Sequence, residues 1–220
     1  MTQKVFIFDM DGVLIRSEQE WIKIERDEGL LEEMFGKEVA DKIGETVGIA
    51  IGEIYKKAVA LGATISKDEF MRFYEQGAMK VYRRCHITPG TKELVTYLKD
   101  NGWLLALVSS SPMPWIKLVL DRFDWKDQLS LVLSVNEHPE LKAKPAPDGY
   151  QYILKTLDAS AVDSLALEDS NPGIASAKAA GLFTIGYSEH LVDGYEQKGA
   201  DVTANNMDEV IKILTTGVLG

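Results

Sequence analysis

Five short runs of apolar β-formers, each separated from the next by helical patterns, constrain the fold of this 220-residue chain more than any other feature. They are residues 4–8 (KVFIF), Leu104–Val108, Leu131–Val135, Leu165–Leu167 and Leu182–Tyr187. A run without apolar–polar alternation reads as a strand buried on both faces, as strands of a parallel sheet are. Helical patterns cover Thr91–Lys99 after Pro89-Gly90, Met113–Arg122 after Pro112, and Asp148–Leu157 after Pro147. Two more cover Pro172–Ala180, which stops at Gly181, and Asp208–Leu214. A Pro just inside the start and a Gly just past the end are helix boundary signals. Strands that alternate with helices imply right-handed βαβ units. The predicted fold class is α/β, a three-layer Rossmann-like core with a parallel sheet.

Between about Arg16 and Arg84 the alternation stops, and helix signals occur without a convincing strand. Ser17-Glu18-Gln19-Glu20 and Ser66-Lys67-Asp68-Glu69 both read as capping boxes. The helix after Ser66 carries Asp68 and Glu69 in its first turn and Lys80, Arg83 and Arg84 in its last, which complements the helix dipole. Ile49–Leu61 has helical periodicity and stops at Gly62. Residues 16–85 are therefore expected to form an inserted small α-helical cap domain, with 1–15 and 86–220 as the α/β core domain. Trp21, Phe70, Phe73 and Tyr74 have the spacing of a small core for the insert.

The formal net charge of -10 argues against broad nucleic-acid binding, which needs a basic surface. A small phosphate substrate remains compatible if a metal and a few cations share its pocket. No apolar stretch of about 18 residues exists, so no membrane span is predicted. The opening MTQKVFIFDMDG lacks the longer apolar region and cleavage site of a signal peptide. Cys85 is the single cysteine, so no intrachain disulfide can form, and a cytoplasmic location is expected. His86, His138 and His190 are dispersed without metal-ligand spacing. A monomer or weak homodimer is expected.

In a doubly wound sheet, ligands bind at the carboxyl ends of the strands. The first strand ends in Asp9-Met10-Asp11-Gly12, the second in Ser109-Ser110-Ser111, and the fourth in Glu168-Asp169-Ser170-Asn171. Lys142-Ala143-Lys144-Pro145 follows the third. On an extended chain Asp9 and Asp11 face the same side. Glu168 and Asp169 nearby would add like-charge repulsion, relieved by raised pKa values or by a bound cation. An all-oxygen site without histidine suits Mg²⁺. Such a set permits phosphoryl transfer: one carboxylate attacks phosphorus, a second moves protons, and a hydroxyl and a lysine hold the phosphoryl oxygens. Read one at a time, these residues have blander readings. Asp-Gly is a common turn signal, Ser109–Ser111 could cap a helix, and Glu168-Asp169 could complement the dipole of the following helix.

FIFDMDGVL resembles the first motif of the haloacid-dehalogenase superfamily. VSSS is similar to the second, AKPAPDGY to the third, and ALEDSNPGIASAKAAG to the fourth, in order along nearly the whole chain. The insert resembles the helical cap of the β-phosphoglucomutase and phosphoglycolate-phosphatase branch. The resemblance implies Asp9 as nucleophile and Asp11 as general acid/base. It implies Ser109 and Ser110 on the phosphoryl group, with Lys144 offsetting its charge. It implies Mg²⁺ held by the Asp9 and Asp169 side chains and the Asp11 carbonyl, with Glu168 near or in the shell.

The expected function is a Mg²⁺-dependent phosphatase acting on a small phosphorylated metabolite through an aspartyl phosphate. The alternative is a β-phosphoglucomutase-like phosphosugar mutase. Many relatives carry an Asp where this chain has Arg16, and mutase-like relatives carry a histidine where it has Trp21. Mutase-like relatives also place an arginine shortly after a glycine resembling Gly48, where this chain reads Ile49-Ala50-Ile51-Gly52. These departures favour hydrolysis. A signalling receiver domain uses similar residues but has no helical insert, and the absence of GxxxxGK[ST] speaks against a P-loop nucleotidase.

Overall fold

The computed structural model describes residues 3–44, 46, 49 and 51–217. Gly48 and Ala50, on which part of the mutase comparison rests, lie outside the described residues. Two compact units divide the chain: Met1–Arg16 with Ile87–Gly220, and Ser17–His86.

In chain order the first unit begins with β1 (Val5–Phe8) and β2 (Ile15–Arg16). The insert carries α1 (Glu18–Ile22), α2 (Leu30–Phe35), α3 (Lys37–Ile43), α4 (Ile51–Ala60) and α5 (Lys67–Arg84). The chain continues through β3 (His86–Ile87), α6 (Thr91–Asp100), β4 (Leu104–Ser109), α7 (Met113–Leu120) and β5 (Leu131–Ser134). It ends with α8 (Asp148–Thr156), β6 (Leu165–Glu168), α9 (Asn171–Ala179), β7 (Phe183–Tyr187), β8 (Val202–Ala204) and α10 (Met207–Thr215). β2 and β3 form a separate two-stranded sheet.

The main sheet has the order β5-β4-β1-β6-β7-β8, and all its pairs are parallel. β1 therefore lies where the strand order reverses, between β4 and β6, which is where a doubly wound sheet opens a crevice at its carboxyl edge. Val5 and Ile7 face a core with Val108, Tyr150, Ile153 and Ala177. Phe6 and Phe8 face the opposite side, with ring centroids 6.2 Å from Trp103 and 6.4 Å from Trp125. Both faces are buried, which is why the strand reads as continuous apolar sequence rather than as an alternation. This is the α/β architecture expected from the sequence.

β8 has no counterpart in that expectation. It is three residues long with only Ala204 buried, and it joins the sheet edge by pairing with β7. Its ladder is extended by Asp201, whose backbone N–H donates to Thr184 O at 2.9 Å while its carboxylate accepts from Thr184 N at 2.7 Å. Such pairing leaves no apolar run to detect.

In the helical unit the two predicted capping boxes part ways. Ser66 is extended (φ -70, ψ 154), its Oγ accepts from Glu69 N at 3.3 Å, and Glu69 Oε2 accepts from Ser66 N at 3.2 Å. Ser17 has helical backbone (φ -92, ψ -30) and makes no side-chain cap bond. An N-cap side chain reaches the first-turn N–H groups from extended backbone, and Ser17 lacks that conformation. The helix expected after Ser17 is also broken, because α1 gives way to a π-helical turn over Lys23–Asp27. Glu25 on that turn is buried and accepts from Tyr74 Oη at 2.8 Å and from the Thr46 hydroxyl. Around it, Trp21 lies 5.5 Å from Tyr74 and Phe70 4.7 Å from Tyr74, centroid to centroid. Among the described residues no helix is long and apolar enough to cross a membrane.

Candidate active site

Asp9 is the first residue past β1. Its N–H donates to Leu167 O on β6 at 3.0 Å, so the sheet itself sets its height beside Glu168 and Asp169. The chain then turns at once. Leu14 N donates to Met10 O at 2.9 Å, Gly12 N donates to Ile15 O at 2.8 Å, and Gly12 takes φ 78. A Cβ at Gly12 would lie 1.9 Å from Asp169 Oδ2. Gly12 is thus required twice, for its left-handed backbone and for the carboxylate that rests against it.

Asp9, Glu168 and Asp169 offer oxygens that all lie within 4.8 Å of one another. Lys144 reaches this group from the β5–α8 connection, and its Nζ lies 2.5 Å from Asp9 Oδ1 and also bonds Glu168 Oε1. Glu168 is fully buried, and its Oε1 accepts a second bond, from Tyr150 Oη. Its Oε2 is buried without a hydrogen-bond partner among the described residues. A Cβ at Gly173, in the first turn of α9, would lie 1.9–2.4 Å from the Glu168 carboxylate. Glycine at 173 therefore lets Glu168 lie against the start of that helix, where the dipole favours negative charge. Ser170 caps the same end, accepting from Gly173 N at 3.2 Å.

Burial raises the Asp9 carboxyl well above the usual carboxylate range; Lys144 opposes the rise, and Glu168 and Asp11 add to it. Burial pulls the Lys144 ammonium down, but Asp9 and Glu168 reverse this and hold it above its ordinary value. Burial, with the Glu168 charge, likewise raises Tyr150. Three carboxylates and one ammonium leave a formal charge of two negatives in a buried site. That charge, the all-oxygen donors and the orphaned Glu168 Oε2 fit a hard divalent cation held by Asp9, Asp169 and Glu168.

The Asp11 carboxylate lies outside this cluster and accepts from Ser111 Oγ at 3.0 Å. Ser111 is itself fixed at both ends of its backbone. Its N–H donates to Ser109 Oγ at 3.0 Å, and its carbonyl accepts from Ser134 Oγ at 2.7 Å. The structure thus gathers Asp9, Lys144, Glu168 and Asp169, places Ser109 and Asp11 beside Ser111, and gives Ser110 no hydrogen bond to these side chains among the described residues. Ser111, Tyr150 and Gly173 were not among the expected site residues. A glycine in the first turn of a helix was a legible signal for Gly173, whereas nothing local marks Tyr150.

A parallel sheet with acidic residues gathered at its switch point defines a Rossmann-like α/β protein with an acidic site, and comparison with known proteins places the chain among hydrolases. Residues 3–181 match the family model described as a hydrolase, haloacid dehalogenase-like hydrolase. The chain is 30% identical over 184 residues to hexitol phosphatase B of Escherichia coli (strain K12), covering 81% of each. It is 26% identical over 229 residues to phosphoglycolate phosphatase of Vibrio parahaemolyticus, covering 98% of this chain and 96% of the relative. A solved structure of a conserved haloacid dehalogenase-like protein from Agrobacterium tumefaciens superposes with a TM-score of 0.76 at 21% identity, covering 97% and 98%. The chain belongs to the haloacid dehalogenase-like hydrolase family, as its motifs suggested.

Proposed function

We propose that this protein is a Mg²⁺-dependent phosphatase that hydrolyses a small phosphorylated metabolite through an aspartyl phosphate on Asp9. The convergence of Asp9, Lys144, Glu168 and Asp169 at the carboxyl edge carries the reading. Two curated relatives that are phosphatases support it.

In the first half-reaction an Asp9 carboxylate oxygen bonds to phosphorus and the bond from phosphorus to the ester oxygen breaks. Asp11, as the acid, gives its proton to the departing alkoxide. In the second half-reaction the Asp11 carboxylate takes a proton from water, whose oxygen bonds to phosphorus as the Asp9 acyl-phosphate bond breaks. Inorganic phosphate leaves, and both carboxyl groups return to their starting states. Lys144, beside Asp9, offsets charge on the phosphoryl oxygens, and the Ser109 hydroxyl binds one of them. Ser111 holds Asp11 for its proton transfers. Mg²⁺ held by Asp9, Asp169 and Glu168 would supply charge neutralisation and keep the buried Asp9 ionised.

The test is phosphate release with Mg²⁺ from an aryl phosphate and from a panel of hexitol phosphates, sugar phosphates and phosphoglycolate, with Asp9→Asn alongside. Metal-dependent release that is lost in the variant supports the reading. Isomerisation of a sugar phosphate without release would move the assignment to a mutase. Release untouched by Asp9→Asn would sink the nucleophile assignment.

A further inference from the structure

The connection between β7 and β8 crosses back over the acidic edge at Tyr195–Lys198. Tyr195 Oη accepts from Asn171 N at 2.7 Å, Asn171 Nδ2 donates to Glu196 O at 2.9 Å, and Lys198 N donates to Asn171 Oδ1 at 2.7 Å. Within this brace Gln197 uses both amide hydrogens. Its Nε2 donates to Asp169 O at 2.6 Å and to Tyr187 O at 2.7 Å, tying the end of β6 to the end of β7.

The rest of the Gln197 amide is held at a cost. Its Oε1 is buried and has no hydrogen-bond partner among the described residues. Leaving a buried acceptor unpaired costs about 1–3 kcal/mol, and an apolar side chain of the same length would avoid that cost. Rotating the amide would only place its oxygen against two carbonyl oxygens, so the donors are fixed where they are. The neighbourhood is cut to fit, because a Cβ at Gly186 would lie 2.8 Å from Gln197 Oε1 and 3.1 Å from Ala200 Cβ. A polar group kept with one end unsatisfied needs a reason, and the pair of bonds it makes is the available one.

Those bonds act on Asp169. Its carbonyl is held by Gln197, and its carboxylate rests against Gly12, so both ends of the residue are pinned. The geometry points to Gln197 as a positioning residue that aims the Asp169 carboxylate into the acidic site and so sets its affinity for a divalent cation. This rests on the reading of Asp9, Glu168 and Asp169 as the Mg²⁺ site. It extends that site to a loop more than 25 residues downstream of Asp169 in the sequence.

Mg²⁺ binding to the full chain, measured by titration calorimetry, tests this directly beside melting curves taken in EDTA. Gln197→Met keeps the length and removes the donors. It is expected to raise the Mg²⁺ Kd about 10–100-fold, the range seen when a residue supporting a ligand is lost. Its melting temperature in EDTA should fall only modestly, because the Asp169 and Tyr187 carbonyls lose their donor while the orphaned oxygen goes too. At saturating Mg²⁺ its kcat should return towards the parent value. A folded Gln197→Met with a lower melting temperature but an unchanged Mg²⁺ Kd overturns the inference and makes the brace merely structural. If that variant does not fold, Gln197→Leu removes the same donors with a smaller side chain, and an unchanged Kd there overturns the inference equally. Asp169→Asn separates the two levels. Full Mg²⁺ affinity in Asp169→Asn refutes the metal reading itself, whereas affinity lost there and kept in Gln197→Met refutes only the role of Gln197.

Discussion

Replacing Lys144 by methionine isolates the electrostatics of the acidic edge. In the metal-free protein its ammonium is the counter-charge that bonds both Asp9 and Glu168, and the three side chains are only 11%, 9% and 0% exposed. Methionine fills much of the same volume and leaves two buried carboxylates facing each other. Removing one partner of a buried ion pair costs about 3–5 kcal/mol. For a chain of this size about 2–4 °C of melting temperature accompanies each kcal/mol, so Lys144→Met should melt roughly 6–20 °C lower in EDTA near pH 8. The deficit depends on pH with a definite sign. Burial raises Asp9 in the folded state, Lys144 is the first influence opposing it, and its loss raises Asp9 further. A carboxyl whose folded pKa lies above its unfolded value contributes stability below the unfolded value, and that stability is lost as pH rises through the folded value. The variant's deficit should therefore shrink as pH falls towards 5. Millimolar Mg²⁺ should raise its melting temperature by more than it raises the parent's. Thermal unfolding followed by circular dichroism, in EDTA and in Mg²⁺ at both pH values, reads all of this. A Lys144→Met melting curve that overlays the parent's in EDTA near pH 8 would refute the bridged-carboxylate account.

Other perturbations probe the remaining contacts. Gly173→Ala drives a methyl to within 1.9–2.4 Å of the Glu168 carboxylate, which is fully buried. It should cost about 1–3 kcal/mol in denaturant melts and weaken Mg²⁺ binding; a neutral variant would contradict the packing. Ser111→Ala removes the donor to Asp11 and should lower kcat about 3–10-fold with little change in KM, the worth of roughly one hydrogen bond; an unchanged kcat would detach Ser111 from catalysis. In the helical unit, burial raises the Glu25 carboxyl above its ordinary 4.5, with the Thr46 and Tyr74 hydroxyls opposing. Its stability contribution is present below about 4.5 and lost as pH rises through the raised value. Glu25→Gln should thus raise the melting temperature at neutral pH, and the gain should fade towards pH 4 or so. A constant difference across that range would disprove the assignment.

Much of the fold was legible because its determinants are local. The runs at Val5–Phe8, Leu104–Ser109 and Leu165–Glu168 are apolar on both faces because the strands are covered on both faces. The Ser66 capping box was legible because both of its bonds close within four residues. Where the reading failed, a local pattern lacked its conformation, as at Ser17, or a short strand drew its pairing from a neighbour, as at β8.

The sequence by itself determined the five apolar strands of the sheet and which acids, hydroxyls and lysine stand at or after their carboxyl ends, since hydrophobic period and turn residues are written into adjacent positions. Tertiary structure alone decided their partners. Lys144 meets Asp9 across 135 positions, Ser111 meets Asp11 across 100, Tyr150 meets Glu168 across 18 and Gln197 meets Asp169 across 28. Such contacts are chosen by where packing leaves a buried polar atom without water, and that place exists only once the sheet, its helices and its loops have come together.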